Sequence, residues 1–228
     1  DALRQVNWRL GARHPDVLYS NEFQVDAAAD VGLLLDARRE SYMSFGNDSL
    51  FEYAVQATAS LALSTLGEGN RVGLLAFGHI LNWTLPGYGK LQVERIFQAL
   101  ASLHLGNVQN EIPEPLIAHY FRPGSQVVVI SPLTRWDVMA IQRLNARRYN
   151  ILVVAPDPAS FETQHLEPGP SGELALRIAR LERQQLLRPL RRAGILTLDW
   201  DVAQPLDQAV SILQRNLVST MPLSGGLR

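Results

Sequence analysis

Residues 31–41 read Val31-Gly32-Leu33-Leu34-Leu35-Asp36-Ala37-Arg38-Arg39-Glu40-Ser41, a short apolar strand closed by a carboxylate and followed by a charged run. A carboxylate at the C-terminal end of a parallel strand stands where open α/β sheets place their binding sites. Hydroxyls two and four positions after Asp36 would complete an anchor for a divalent cation, but those positions hold Arg38 and Glu40. A guanidinium facing such a site repels the cation. The stretch therefore reads as a surface shaped like a metal site that has lost its metal.

Outward from this stretch, short apolar runs alternate with amphipathic helical patterns, the signature of a parallel sheet with crossover helices. Residues 49–66 carry apolar side chains at helical spacing (Leu50, Tyr53, Ala54, Ala57, Leu61 and Leu63), with Asp48 or Ser49 to cap the start and Gly67 to close the end. A strand is expected at 71–77 and, after Gly78 and His79, an antiparallel edge strand at 80–85, broken by Pro86-Gly87-Tyr88-Gly89. Helical periodicity returns at 91–103 and weakly at 115–121. Residues 126–131 are a Val/Ile run without alternation, the pattern of a strand covered on both faces. A helix at 135–147, a strand at 151–155, a proline-rich loop ending at Pro170, a helix at 173–192, a strand at 195–198 and a helix at 206–218 complete the chain. The helix at 173–192 is expected to pack its Leu and Ile residues on the core and to turn Arg and Glu to solvent. The expected fold class is α/β: a doubly wound, mostly parallel six-stranded sheet with one antiparallel edge strand, over residues 29–220. An extended N-terminal arm (1–28), locked onto the domain by Trp8, Arg9 and Arg13, precedes it, and a disordered tail (221–228) follows.

The 228 residues suit one large domain, and a hydrophobic share of 46% is ordinary for a chain with a full core. A formal net charge of −1 gives no electrostatic reason to expect nucleic acid or an anionic membrane as partner. The chain has no cysteine, which excludes disulfides, thiolate metal sites and cysteine catalysis. Every basic residue except Lys90 is an arginine. No window approaches the roughly 18 consecutive apolar residues of a membrane span, so no direct membrane insertion is expected. The chain opens at Asp1 without a methionine, as expected of a soluble portion excised from something longer.

The order of elements behind an Asp-ended first strand resembles the von Willebrand factor A domain. A closer likeness begins at the N-terminus. There Asp1-Ala2-Leu3-Arg4-Gln5-Val6-Asn7-Trp8-Arg9-Leu10-Gly11-Ala12-Arg13 is similar to the Gly-Asp-x-x-Arg-x-Ile-x-Trp-x-x-Ser-Ala-Arg signature of domain-of-unknown-function family fifty-eight. It continues through Leu18-Tyr19-Ser20-Asn21-Glu22-Phe23, Leu33-Leu34-Leu35-Asp36, Asn70-Arg71-Val72-Gly73-Leu74-Leu75-Ala76-Phe77-Gly78 and residues 127–131. These are prokaryotic proteins, usually membrane-anchored, that carry a von Willebrand A-like domain after the signature. The resemblance implies a MoxR-type AAA+ ATPase as partner and complex assembly or chaperone-like work, on the cytoplasmic face of a membrane-anchored protein.

The departures from the wider fold carry the functional reading. Its metal site needs Asp-x-Ser-x-Ser after the first strand, a Thr before the second long helix and an Asp after the fourth strand. Such oxygen ligands suit Mg²⁺, which demands a near-octahedral shell. Only Asp36 matches the first motif here. Gly87-Tyr88-Gly89-Lys90 offers no Thr and adds a positive charge, and Ile130-Ser131-Pro132 stands where Ile-Ser-Asp is expected. One carboxylate beside an arginine and a lysine predicts no bound metal. Glu40 and Ser41 also carry oxygens, which keeps a rearranged ion site as the alternative. The five histidines (14, 79, 104, 119 and 165) have no metal-ligand spacing. Ser131 and Thr134 lie in no nucleophile elbow, and the chain has neither a phosphate loop nor a Gly-x-Gly-x-x-Gly fingerprint in the right context.

Two functions remain. One is a non-enzymatic protein-interaction module that needs no cofactor, with Asp36, Arg38, Arg39, Glu40, Ser41, His79, Tyr88, Lys90, Ser131 and Thr134 as candidate partner-binding residues on the strand C-terminal face. The alternative is an α/β enzyme or nucleotide-binding domain using the same crevice.

Overall fold

The computed structural model describes residues 29–78, 82–107, 112–165 and 169–207. The N-terminal arm, His79, most of the expected last helix and the C-terminal tail lie outside the described residues. Six strands form one sheet: β1 (Asp30–Asp36), β4 (Arg71–Phe77), β5 (Asn82–Gly87), β6 (Gln126–Ile130), β7 (Asn150–Pro156) and β8 (Leu196–Trp200), in the order β5-β4-β1-β6-β7-β8. All neighbours are parallel except β5, which runs antiparallel to β4 at the edge. This is the mixed α/β sheet expected from the sequence. Two short elements were not expected. A two-residue-per-strand hairpin, β2 (Ser44–Phe45) and β3 (Asp48–Ser49), follows β1, and a six-residue helix, α5 (Pro158–Thr163), follows β7.

The helices are α1 (Leu50–Gly67), α2 (Gly89–Ala101), α3 (Glu114–Tyr120), α4 (Arg135–Ala146) and α6 (Pro170–Arg192). Strand alternation divides the core into two layers. Val31, Leu33 and Leu35 of β1 join Val72, Leu74, Val128 and Ile130 against α1 and α2. Leu34 joins Leu75, Val127, Val129 and Val153 against α3, α4 and α6. By the same alternation Asp36 shares the Leu34 face, which α4 covers. The buried stripe of α1 is Leu50, Phe51, Ala54, Ala57, Thr58, Ala62 and Leu66. Small alanines bring this helix close to the sheet, whereas Leu63, expected in the stripe, is 47% exposed. Ser49 caps α1, its hydroxyl accepting from the Phe51 N–H at 3.3 Å. The expectation for α6 is half corrected: Leu187 and Leu190 are buried, but Leu174, Ile178 and Leu181 are more than half exposed or at the half mark. No described helix is long and apolar enough to cross a membrane.

The chain winds from β1 to β4 on one side and later from β6 to β7 on the other. The boundary between β1 and β6 is the switch point of the sheet, where doubly wound folds open a crevice at the strand C-termini. The far ends of these strands are closed by an aromatic ring. Gly32 and Gly73 are register partners, and Phe121 lies over both. A Cβ on Gly32 would stand 2.8 Å from the Phe121 ring, and one on Gly73 would stand 3.1 Å from it. The ring cannot retreat freely, because the Tyr149 hydroxyl donates to the Phe121 carbonyl oxygen at 2.9 Å.

Gly32→Ala is therefore expected to destabilise the fold by about 1–3 kcal/mol through overpacking, measured as a lowered denaturant midpoint. Gly172→Ala, on α6 with open space around it, is the matched control and should not lower it.

Candidate functional site

The crevice is built from four segments. After Asp36 the chain leaves the sheet with Ala37 N–H donating to the Phe77 carbonyl oxygen at 2.7 Å. It then meets the loop following α2: Gly106 N–H donates to the Ala37 oxygen and Arg39 N–H to the Gly106 oxygen, each at 2.8 Å. A 3₁₀ turn, Arg39–Ser41, follows, and the Tyr42 hydroxyl returns to donate to the Asp36 carbonyl oxygen at 2.8 Å. Gly78 passes against this turn at φ +117°, where a Cβ would fall 2.4 Å from the Arg38 nitrogen, so only glycine fits.

From β6, Ser131 is fully buried, and its hydroxyl oxygen accepts the Leu133 N–H at 3.0 Å while donating to Asp36 Oδ2 at 2.8 Å. Leu133 itself sits at φ +72°, a conformation that costs a bulky residue strain and that the surrounding bonds must hold. Thr134 then caps α4 in a reciprocal box. Its hydroxyl oxygen accepts from the Asp137 N–H at 3.4 Å, and Asp137 Oδ2 accepts from the Thr134 N–H at 2.7 Å and from its hydroxyl at 2.8 Å.

Arg38 closes the assembly. Its Nε and Nη2 donate to the two oxygens of Asp36 at 2.9 and 2.7 Å, and Nη2 also donates to Asp137 Oδ2 at 2.7 Å. Its backbone N–H adds a bond to Asp36 Oδ1 at 2.9 Å, and its guanidinium lies 5.2 Å from the Phe77 ring centre. Asp36 and Asp137 are 0% exposed and Arg38 is 4% exposed. Burial alone would lower the Arg38 pKa, but the hydrogen bond and charge of Asp36, and then those of Asp137, outweigh it and raise the pKa above the ordinary arginine value. Burial, reinforced by the charge of Asp36, likewise raises the Tyr42 hydroxyl well above the ordinary tyrosine range. Asp137 Oδ1 and the Ser41 hydroxyl are buried and have no hydrogen-bond partner among the described residues.

A second arginine fills the neighbouring strand ends. Arg183 of α6, 8% exposed, pairs with Asp199 and, at 3.2 Å, with Asp157. It also donates to the carbonyl oxygens of Ala155 at 2.8 Å, Pro156 at 3.2 Å and Pro132 at 3.3 Å. Beside these plugs a groove of about 960 Å³ runs between α4 and α6, its walls including Ser41, Leu133, Val138, Met139 and Leu186. Met139, 49% exposed, lines this groove from α4, and Trp136, 64% exposed, stands on the same helix outside the groove wall.

The structure thus gathers Asp36, Arg38, Ser131 and Thr134 into one cluster, with Arg39 and Glu40 exposed at its rim. Arg38, expected on the partner-binding face with Arg39 and Glu40, is instead a buried core residue. Tyr88 and Lys90 require correction. Because β5 is antiparallel, its end Gly87 pairs with Val72 at the start of β4, so both residues lie at the opposite end of the sheet from Asp36. There the Arg71 guanidinium stands 5.7 Å from the Tyr88 ring centre. The loop that does reach the crevice is the one after α2, at Gly106. Asp137 was missed in sequence: the chain carries a second carboxylate, from α4 rather than from directly after β6. The spacing Thr134-x-x-Asp137 behind an apolar strand is a capping pattern and was the available signal.

As folded, these residues do not fit an oxygen-liganded divalent ion. Both Asp36 oxygens accept from Arg38, and the Ser131 hydroxyl is engaged as donor and acceptor, so the oxygens cannot complete a near-octahedral shell.

The family model described as "Protein of unknown function DUF58" matches residues 1–165. The chain is similar to two solved structures: the conserved hypothetical protein BatB from Bacteroides thetaiotaomicron, and an aerotolerance-related membrane protein from Bacteroides fragilis NCTC 9343 with multiple mutations to serines. Both are 14% identical to it, with TM-scores of 0.48 and 0.47; the matches cover 82% and 85% of this chain and 100% of each of those chains. No curated protein matches.

Two outcomes follow from the cluster. Asp36→Asn should cost about 3–5 kcal/mol, because it strips the paired arginine of its main counter-charge in the interior. Asp137→Asn should cost less, since two carboxylates face one guanidinium and its removal balances the charge; urea titration orders the two. Tyr42 supplies a pH test. Its folded pKa is raised, so its contribution is complete below the unfolded tyrosine pKa of about 10 and is lost as pH rises further. Parent stability should fall above that pH more steeply than that of Tyr42→Phe, in thermal melts from neutral to alkaline pH.

Proposed function

The chain belongs to the DUF58 family of proteins of unknown function, and on that premise we propose that it works as a non-enzymatic protein-interaction module. In this reading the domain is von Willebrand factor A-like, and its strand-end face, a degenerate metal-ion-dependent adhesion site, docks a protein partner. The observation that carries the proposal is the division of labour at that face. The groups able to do chemistry, Asp36 and Asp137, are spent on the chain's own Arg38, while the helix that carries Asp137 exposes two large apolar side chains, Trp136 and Met139.

Met139 lines the groove beside Glu40 and Arg135, and Trp136 is exposed on the same helix. An exposed aromatic and a methionine among charged residues are the residue types of a binding hot spot. Near-neutral net charge favours a protein over nucleic acid as the partner. The family resemblance suggests a MoxR-type AAA+ ATPase, with the module held on the cytoplasmic side of a membrane for complex assembly or chaperone-like work.

The test is a binding measurement between the full chain and the purified MoxR-type ATPase of the same organism. Trp136→Ala should weaken the complex by about 2 kcal/mol or more, roughly thirtyfold in Kd, with an unchanged melting temperature. Arg39→Glu should act mainly on the association rate, and more strongly at low salt. Equal affinity of the parent and both variants would place docking elsewhere on the domain.

A further inference from the structure

The two carboxylates at the β1–β6 boundary are held by a single cation that is covalently part of the chain. Arg38 Nε and Nη2 grip Asp36 at 2.9 and 2.7 Å, and the same Nη2 reaches Asp137 at 2.7 Å. The guanidinium is planar and donates only within its own plane, and Asp137 Oδ1 has no partner among the described residues although that side chain is fully buried. Two negative groups against one positive group also leave the cluster short of positive charge. A compact divalent ion has neither shortfall: it attracts oxygens in every direction and balances two carboxylates. The remaining side-chain oxygens that bond to these carboxylates are hydroxyls, Ser131 to Asp36 and Thr134 to Asp137, which serve as neutral ligands as readily as they serve as donors. The backbone around Arg38 is fixed independently of its side chain, by Phe77 and Gly106.

We infer that Arg38 is a tethered cation that keeps this site permanently in its cation-filled arrangement, so that the face above it needs no divalent ion. Exchanging Arg38 for serine would leave Asp36, Ser131, Thr134 and Asp137 as a divalent-cation site. The bearing of this on docking rests on the role proposed above.

The experiment is thermal denaturation of the full chain in chelator and in increasing Mn²⁺ or Mg²⁺, for the parent, Asp36→Asn, Arg38→Ser and Arg38→Ser with Asp36→Asn. The parent Tm should be the same in chelator and in millimolar ion. Arg38→Ser should melt lower in chelator and rise with ion concentration, in the logarithmic manner of a ligand that binds only the folded state. The double variant should not respond. A folded Arg38→Ser that ignores both ions overturns the inference, as does a parent whose Tm rises with ion and loses the rise in Asp36→Asn.

Should Arg38→Ser fail to fold in every condition, Arg38→Lys and Arg38→Met decide the matter. Lysine keeps the charge, methionine only the stem. A Tm nearer the parent for lysine supports the tethered cation, and equal or better stability for methionine overturns it. None of these measurements involves a partner, so they can fail while docking stands. A loss of docking in Trp136→Ala leaves them unchanged.

Discussion

The bond network of Arg38 is the constraint on which the strand-end face depends. Removing two carboxylates and a guanidinium from water costs several kcal/mol per ion, and the attraction between them offsets this only if the geometry is good and the other lone pairs are satisfied. That condition reaches into every neighbouring segment. Asp36 must end β1 on the α4 face. Ser131 must offer its hydroxyl from the end of β6, which draws Leu133 into a left-handed conformation. Thr134 and Asp137 must both belong to the cap of α4, so that the start of this helix is also a ligand of Arg38. Gly78 must be glycine so that the turn carrying Arg38 can lie against it. A buried ion cluster is weak grounds for overall stability, because replacing it with well-packed apolar residues is often neutral, whereas removing one partner strands a charge in the interior.

The same network explains which parts of the molecule were legible in the sequence. The parallel strands β1, β4, β6 and β7 announce themselves as apolar runs, since a strand covered on both faces has no reason to alternate. The hairpin at Ser44–Ser49 and helix α5 are too short for any period to show. Asp36 and Arg38 are two residues apart, and their opposition was visible. Its sense was not: a guanidinium near a carboxylate reads in sequence as something that repels a cation, and in space it is the cation. Asp137 lies 99 residues from Arg38, and no local pattern reports a pairing across that distance. Tyr88 and Lys90 were misplaced for a simpler reason. An antiparallel edge strand reverses the direction of the chain, so the residues after β5 land at the wrong end of the sheet for a strand-end site.

The second buried arginine makes the first less of an accident. In a doubly wound sheet the C-terminal strand ends present carbonyl oxygens and end-of-strand carboxylates, a surface that attracts cations and polar ligands. Arg38 covers this surface at β1 and β6, and Arg183 covers it at β7 and β8, where it binds three carbonyl oxygens and the carboxylates Asp157 and Asp199. Each guanidinium comes from a different part of the chain, one from the turn after β1 and the other from the middle of α6. Together they fill the polar ends of β1, β6, β7 and β8 with cations that belong to the chain. On the docking role proposed above, specificity is not expected from Arg38, Arg183 or Asp36, which are engaged within the chain. It has to come from what stands around them: the exposed side chains of α4, the rim residues of the 3₁₀ turn, and the groove that α6 shares with α4. On that docking role, a partner would read the shape and the rim of this face, and the buried charges would act by holding that rim still.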